Sequence, residues 1–106
     1  MARKRRLFSV QSPLGYRVFL DRDRWRQIVQ HKHPAMANRE MAVRACLFKP
    51  SIIRESAKDT EVHLYYVPED AGYLCVVAAP ADENEYFVVT CYITTNMKQG
   101  TELWKS

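Results

Sequence analysis

From Tyr86 to Thr94 the side chains alternate, with Phe87, Val89, Cys91 and Ile93 on one face and Tyr86, Val88, Thr90, Tyr92 and Thr94 on the other, because successive strand residues point to opposite sides of a sheet. The first face predicts core. The second sets the hydroxyls of Thr90, Tyr92 and Thr94 at every-other-residue spacing. That pattern fits either the wet face of an antiparallel strand or a surface turned toward a ligand. Residues 51–56, 61–67 and 73–79 are likewise rich in Val, Ile, Tyr and Thr, and turn-prone segments at 57–60, 68–72 and 80–84 separate the four runs. Connections this short cannot carry a parallel crossover, so the runs predict an antiparallel meander.

Upstream the period changes. Over residues 22–32 the apolar positions Trp25, Ile28 and Val29 recur at helical spacing behind Asp21, a candidate N-cap, and the pattern stops at His33-Pro34, where proline disfavours helical geometry in the residue before it. A second helix is predicted over 39–48, with Asn38 as its N-cap, a stripe of Ala42, Val43, Cys46 and Leu47, and a close at Lys49-Pro50. Ser12-Pro13-Leu14-Gly15 reads as a turn, and residues 16–20 as a short strand. Helices followed by strands predict an α+β fold, with N-terminal helices packed on a four-stranded antiparallel β-meander and a short extra N-terminal strand.

At 106 residues, with 47% hydrophobic and 26% charged residues, the chain has the size and composition of one folded domain. No apolar run approaches the roughly 20 residues of a membrane span. The basic start is not followed by an apolar signal core, so a cytoplasmic protein with no membrane partner is expected. Cys46, Cys75 and Cys91 are odd in number and lack a CxxC pair, and they read as small buried apolar residues of a reduced protein. The net charge of +4 conceals an asymmetry: residues 1–54 hold thirteen Lys or Arg against three acids, and residues 55–106 hold three against nine. Four of the cations, Arg3 to Arg6, belong to a basic flexible arm placed at residues 1–12, ahead of a single domain at 13–106. Such a run reads as a solvated tail or as an arm that follows nucleic acid.

If the helices cover one face of the meander, the other should carry Thr90, Tyr92 and Thr94. On the second strand the more apolar set, Val62, Leu64 and Tyr66, is the better core, which leaves His63 and Tyr65 open. On the first strand Arg54 and Ser56 share a face, and Ile53 and Glu55 share the other, with nothing to choose between them. An open face with a cation, hydroxyls and imidazole has the parts for cleaving RNA without a metal. That reaction needs a base for the ribose 2′-hydroxyl, an acid for the leaving 5′-oxygen and positive donors around the phosphate. Histidine titrates near neutral pH, and arginine presents a fixed fork of donors. Each residue also has an ordinary structural role open to it: His31, Lys32 and His33 compensate a helix C-terminus, His63 is a surface strand residue, and Tyr65, Tyr66 and Tyr73 pack in a sheet. No cofactor is implied. His31 and His33 face different ways on a helix and make no metal pair, and Gly15, Gly72 and Gly100 form neither a phosphate loop nor a nucleophile elbow.

The helix ending IVQHKHP, then LFKPSIIRES, HLYYVP, YLCVVAAP and FVVTCYITTNMKQGTELW, resembles in order and spacing the phage- and mobile-element-associated domains of the barnase/EndoU/colicin/RelE-like nucleases. The likeness runs from about Phe19 to Trp104. It implies a toxin-type, metal-independent endoribonuclease, with RNA as partner and an antitoxin or immunity protein as a second one. Carried over by residue, it implies His33 as general acid or base, Arg54 as phosphate clamp, and Thr90 with Tyr92 as orienting hydroxyls. Ser56, Tyr65 and Lys98 would bind substrate by the same likeness, and His63 and Thr94 join them as residues of the expected open face. Related domains differ in which of these residues they keep. Two rivals stand beside this reading: a catalytically silent module that grips nucleic acid or an acidic protein, and a toxin-neutralising or scaffold protein that pairs through a strand edge.

Overall fold

Extended, β-branched and aromatic runs dominate both ends of the chain, and in the computed structural model, which describes residues 5–106, they join into one sheet. The order along the chain is β1 (Arg6–Gln11), β2 (Arg17–Asp21), α1 (Arg22–Gln27), α2 (Glu40–Phe48), β3 (Ile52–Glu55), β4 (His63–Glu69), β5 (Gly72–Asp82), β6 (Glu85–Thr94) and β7 (Glu102–Lys105). Between the helices lie a wider π turn, Ile28–Lys32, and a 3-10 turn, Pro34–Met36. The spatial order is β1-β2-β6-β5-β4-β3-β7, and every neighbour is antiparallel except β2 and β6, which run parallel.

This α+β architecture replaces the expected four-stranded meander under N-terminal helices. The four expected strands occur as β3 to β6, but the sheet is seven-stranded and mixed. The hairpin β1-β2 extends it at one edge, and β7 returns to pair with β3 at the other. Residues 6–11, assigned from sequence to the flexible arm of 1–12, form β1, Arg5 is bonded through its carbonyl to the Arg22 amide and Ser12 is buried; residues 1–4, with Arg3 and Lys4, lie outside the described residues. Asn38 does not cap α2. It takes a left-handed backbone, φ 66°, one residue before the N-cap Arg39, a conformation asparagine tolerates better than most residues.

Register fixes which residues share a face. Ile53, Tyr65, Val76 and Cys91 form one cross-strand row, and Ile52, Tyr66, Cys75 and Tyr92 the adjacent row on the opposite face. The first face meets the helices: Trp25, Ile28, Met36, Val43, Cys46 and Leu47 pack with Ile53, Tyr65, Val76, Val88 and Cys91 in the main core. The second face holds a smaller cluster of Ile52, Leu64, Tyr66 and Cys75, with Val62, Tyr73, Val77, Tyr92 and Met97 against it. All three cysteines are buried and unpaired.

What covers the second face is the connection at 95–101. From β6 to β7 it must pass β5, β4 and β3, four inter-strand spacings or ~19 Å. Eight residue steps from Thr94 to Glu102 reach at most roughly 26–29 Å. The segment is therefore drawn out as a strap, with Met97 packed on the small cluster.

Candidate functional site

His33 owes its place to the end of the first helical segment. Its amide donates to the Ile28 carbonyl five residues back, at 2.7 Å, which closes the π turn before Pro34. Beyond Phe19 ↔ Phe87, β2 no longer pairs with β6. Past that point the helical segment runs beside β6, and the half-buried His33 ring comes against Tyr92, with centroids 5.6 Å apart. Lys98, on the strap, sets its Nζ 5.7 Å from the centroid of the same ring.

Lys98 is also the strap's main anchor. Its amide donates to the Tyr66 hydroxyl at 3.0 Å, and its carbonyl accepts from Arg54 Nη1 at 2.9 Å. Arg54 lies opposite Leu64 and so belongs to the strapped face, which sequence had left open. Ser56 and Lys98 line a common cavity of about 230 Å³ with Leu64 and Gln99. Thr94 starts the strap, its hydroxyl donating to the Asn96 carbonyl at 3.0 Å and accepting from the Asn96 amide at 3.3 Å.

The hydroxyls of Thr90 and Tyr92 are buried, and neither has a hydrogen-bond partner among the described residues. Burial raises the Tyr92 phenol well above its usual range, and the Cys75 thiol beside it adds to the effect. Burial likewise pushes Tyr66 up to about 12, so that it stays protonated while it accepts from Lys98. His33, Tyr92, Lys98, Arg54, Thr90 and Ser56 thus fall on or at the rim of one face, where Lys98 of the strap meets Arg54, Tyr66 and Tyr92.

His63 and Tyr65 do not join them. Tyr65 is wholly buried in the main core, on the helix-covered face, and His63 shares that face; the outward set on β4 is instead Leu64 and Tyr66, which the strap covers. A polar chain explains why the larger hydroxyl side chain is inside. Buried Ser12 meets the Tyr65 hydroxyl at 2.5 Å, Tyr65 donates to Tyr16 at 2.5 Å, and the Tyr16 hydroxyl lies 2.8 Å from His63 Nδ1. Because Tyr65 donates to Tyr16, the Tyr16 proton is left for the imidazole, which accepts at Nδ1; burial first, then Tyr65, raises the Tyr16 phenol and keeps that proton in place. Burial lowers the pKa of His63, opposed by Glu55, and the ring stacks on Tyr86 at 5.0 Å. Sequence reasoning missed Ser12 and Tyr16 because a turn serine and a tyrosine just ahead of β2 carry no periodic signal.

Strict alternation also failed within β6. A bulge between Val88 and Thr90 puts two residues opposite one on β5, so Val88 and Cys91, three apart, both enter the main core, while Phe87 turns to the other face. Phe87 was expected inside. It lies instead beside Phe19, with the guanidinium of Arg24 5.5 Å from its ring centroid.

Among the described residues no group of three or more His, Cys, Asp or Glu could hold a metal ion, and no helix is long and apolar enough to cross a membrane. No protein-family model, curated protein or solved structure matches the chain.

Proposed function

We propose that the protein is a small, metal-independent endoribonuclease-like domain of toxin type, with the rim formed by His33, Tyr92 and Lys98 as its working end. The observation that carries this reading is the flanking of one tyrosine ring by an imidazole from a helix end and a lysine from the strap, at 5.6 and 5.7 Å. The order of His-Pro, Lys-Pro-x-x-Ile, Tyr-Tyr and Thr-x-Tyr, which resembles the nuclease group above, adds support. His33 takes the proton of the ribose 2′-hydroxyl as its oxygen bonds to phosphorus. The bond from phosphorus to the 5′-oxygen breaks, and the departing oxygen takes a proton from solvent at this open rim. Lys98 holds the phosphate oxygens where charge develops. Arg54, through the Lys98 carbonyl, positions that lysine rather than clamping phosphate alone.

Incubation of purified protein with RNA and a chelator should yield fragments ending in 2′,3′-cyclic phosphate and 5′-hydroxyl. His33→Ala should lower the rate by about 10²- to 10⁴-fold with RNA affinity retained. RNA left intact by a large excess of protein would rule out cleavage. The second reading, a silent nucleic-acid-binding module, draws on the burial of the Thr90 and Tyr92 hydroxyls and the engagement of Arg54 with the strap. It expects salt-sensitive binding, unchanged by His33→Ala and without cleavage. A partner that neutralises the activity, an antitoxin or immunity protein, would act by pairing with the sheet edge at β1 or β7 or by blocking the rim.

A further inference from the structure

Where β2 stops pairing with β6, the notch between β2, β6 and α1 holds a cavity of about 270 Å³. Its walls are chemically mixed. Phe19 and Phe87, paired neighbours on two strands, supply aromatic surface, and Asp21, Asp23, Arg24 and Gln27 supply polar groups at the mouth. Arg6 already packs on Phe19 at 3.8 Å and is held there by Glu85 at 2.8 Å, so that ring is covered. Arg24 lies farther from Phe87, at 5.5 Å, and has no carboxylate within ion-pair distance among the described residues. Phe87 therefore presents the freer aromatic face, with the Arg24 guanidinium near it. The bulge at Val88 to Thr90 is what turns this ring outward.

The two carboxylates decide the ligand class. Asp21, which has no cation within ion-pair distance among the described residues, disfavours a phosphate, as does Asp23 more weakly, since it lies 3.9 Å from Arg26; a planar heterocycle can instead stack on Phe87 and donate from an exocyclic amine to these acceptors. The volume lies just below the usual range for ligand cavities, which suits a single base rather than a larger ligand. Phe87 and Tyr92 lie on the same strand and face, roughly 15 Å apart at the strand rise, which places the cavity a few nucleotides from the His33 rim.

We infer that this notch is a nucleobase subsite, stacking one unpaired base on Phe87 and preferring adenine, cytosine or guanine to uracil through the acceptors of Asp21 and Asp23. As a subsite of an RNA-cleaving face it rests on the function proposed above; as a base pocket it can be tested apart from it. The isotope-labelled protein is titrated with each of the four nucleoside 5′-monophosphates and with an inert 2′-O-methyl oligonucleotide, and amide resonances are followed. AMP, CMP or GMP should shift Phe19, Phe87 and Gln27 more strongly than UMP does. Phe87→Leu should weaken that binding roughly ten-fold, the loss of one base stack. Asp21→Asn should narrow the preference over UMP. It removes no capping bond, since the Asp21 side chain makes none to α1, and so it also serves if Phe87→Leu does not fold. Shifts at the notch without any cleavage or binding at the His33 rim would uphold the subsite and sink the nuclease reading. Oligonucleotide shifts confined to Tyr92 and Lys98, or none with any nucleotide, would overturn the subsite, as would unchanged affinity and preference in the folded variants.

Discussion

His63 shows how one side chain's surroundings set its chemistry. Its Nδ1 accepts from Tyr16, at the end of a chain of hydroxyls that begins at buried Ser12. Protonation makes Nδ1 a donor, which reverses every bond back to Ser12 and obliges that buried hydroxyl to find a new acceptor. Burial lowers the folded-state pKa from 6.5, with Glu55 opposing. Below 6.5 the unfolded chain therefore binds more protons at this site than the folded one does. The stability contributed here is fully present above that pH and is lost as pH falls through the lower folded value. Melting temperature should drop between pH 7.5 and pH 5, and His63→Gln, which still accepts from Tyr16 but does not titrate, should flatten the drop. An equal slope in both proteins would show that the acid sensitivity lies elsewhere.

At the scale of elements, the strap at 95–101 separates what was readable in the sequence from what was not. The helical stretch before His33-Pro34 and the runs that became β3 to β6 were legible from period and turn residues. The strap was not, because nothing in Thr95 to Thr101 signals that it crosses three strands; only the pairing of β7 with β3 requires it. That crossing turned Leu64 and Tyr66, an apolar pair at period two, toward the strap rather than the helices. Two substitutions measure how firmly the strap is held. Tyr66→Phe removes the acceptor of the Lys98 amide and should cost about 1 kcal/mol, with faster hydrogen exchange at Lys98. Gly100→Ala would set a Cβ inside the van der Waals shell of the Glu55 carbonyl oxygen. Since Glu55 is itself bonded to Thr101 at 2.7 Å, neither backbone can retreat cheaply. That variant should lose on the order of 3 kcal/mol in denaturant unfolding and, with Lys98 displaced, the proposed RNA cleavage as well.

For the molecule as a whole, topology was the least legible level, since period and turn signals describe neighbours along the chain. The parallel contact of β2 with β6 joins segments far apart in sequence, and the bulge in β6 breaks the alternation on which face assignments rest. Charge, by contrast, was readable, because it needs no register. The basic first half includes the run Arg3 to Arg6, of which Arg6 is engaged in the fold by Glu85 and Phe19. Arg3, Lys4 and Arg5 precede β1, and the Arg5 carbonyl accepts from the Arg22 amide at 2.9 Å, so replacing the three side chains, rather than removing the residues, keeps that bond. If they contact phosphates of a single-stranded RNA, each contributes about 0.7 to the slope of log affinity against log salt concentration. A variant with Gln at positions 3, 4 and 5 should then lose about 2 from that slope and bind more weakly at low salt. The proposed cleavage, measured at saturating RNA, should be unchanged, because the His33 rim is built entirely from later residues. An unaltered salt slope would mean that the arm is a solvated tail and that the sheet face alone attracts the RNA.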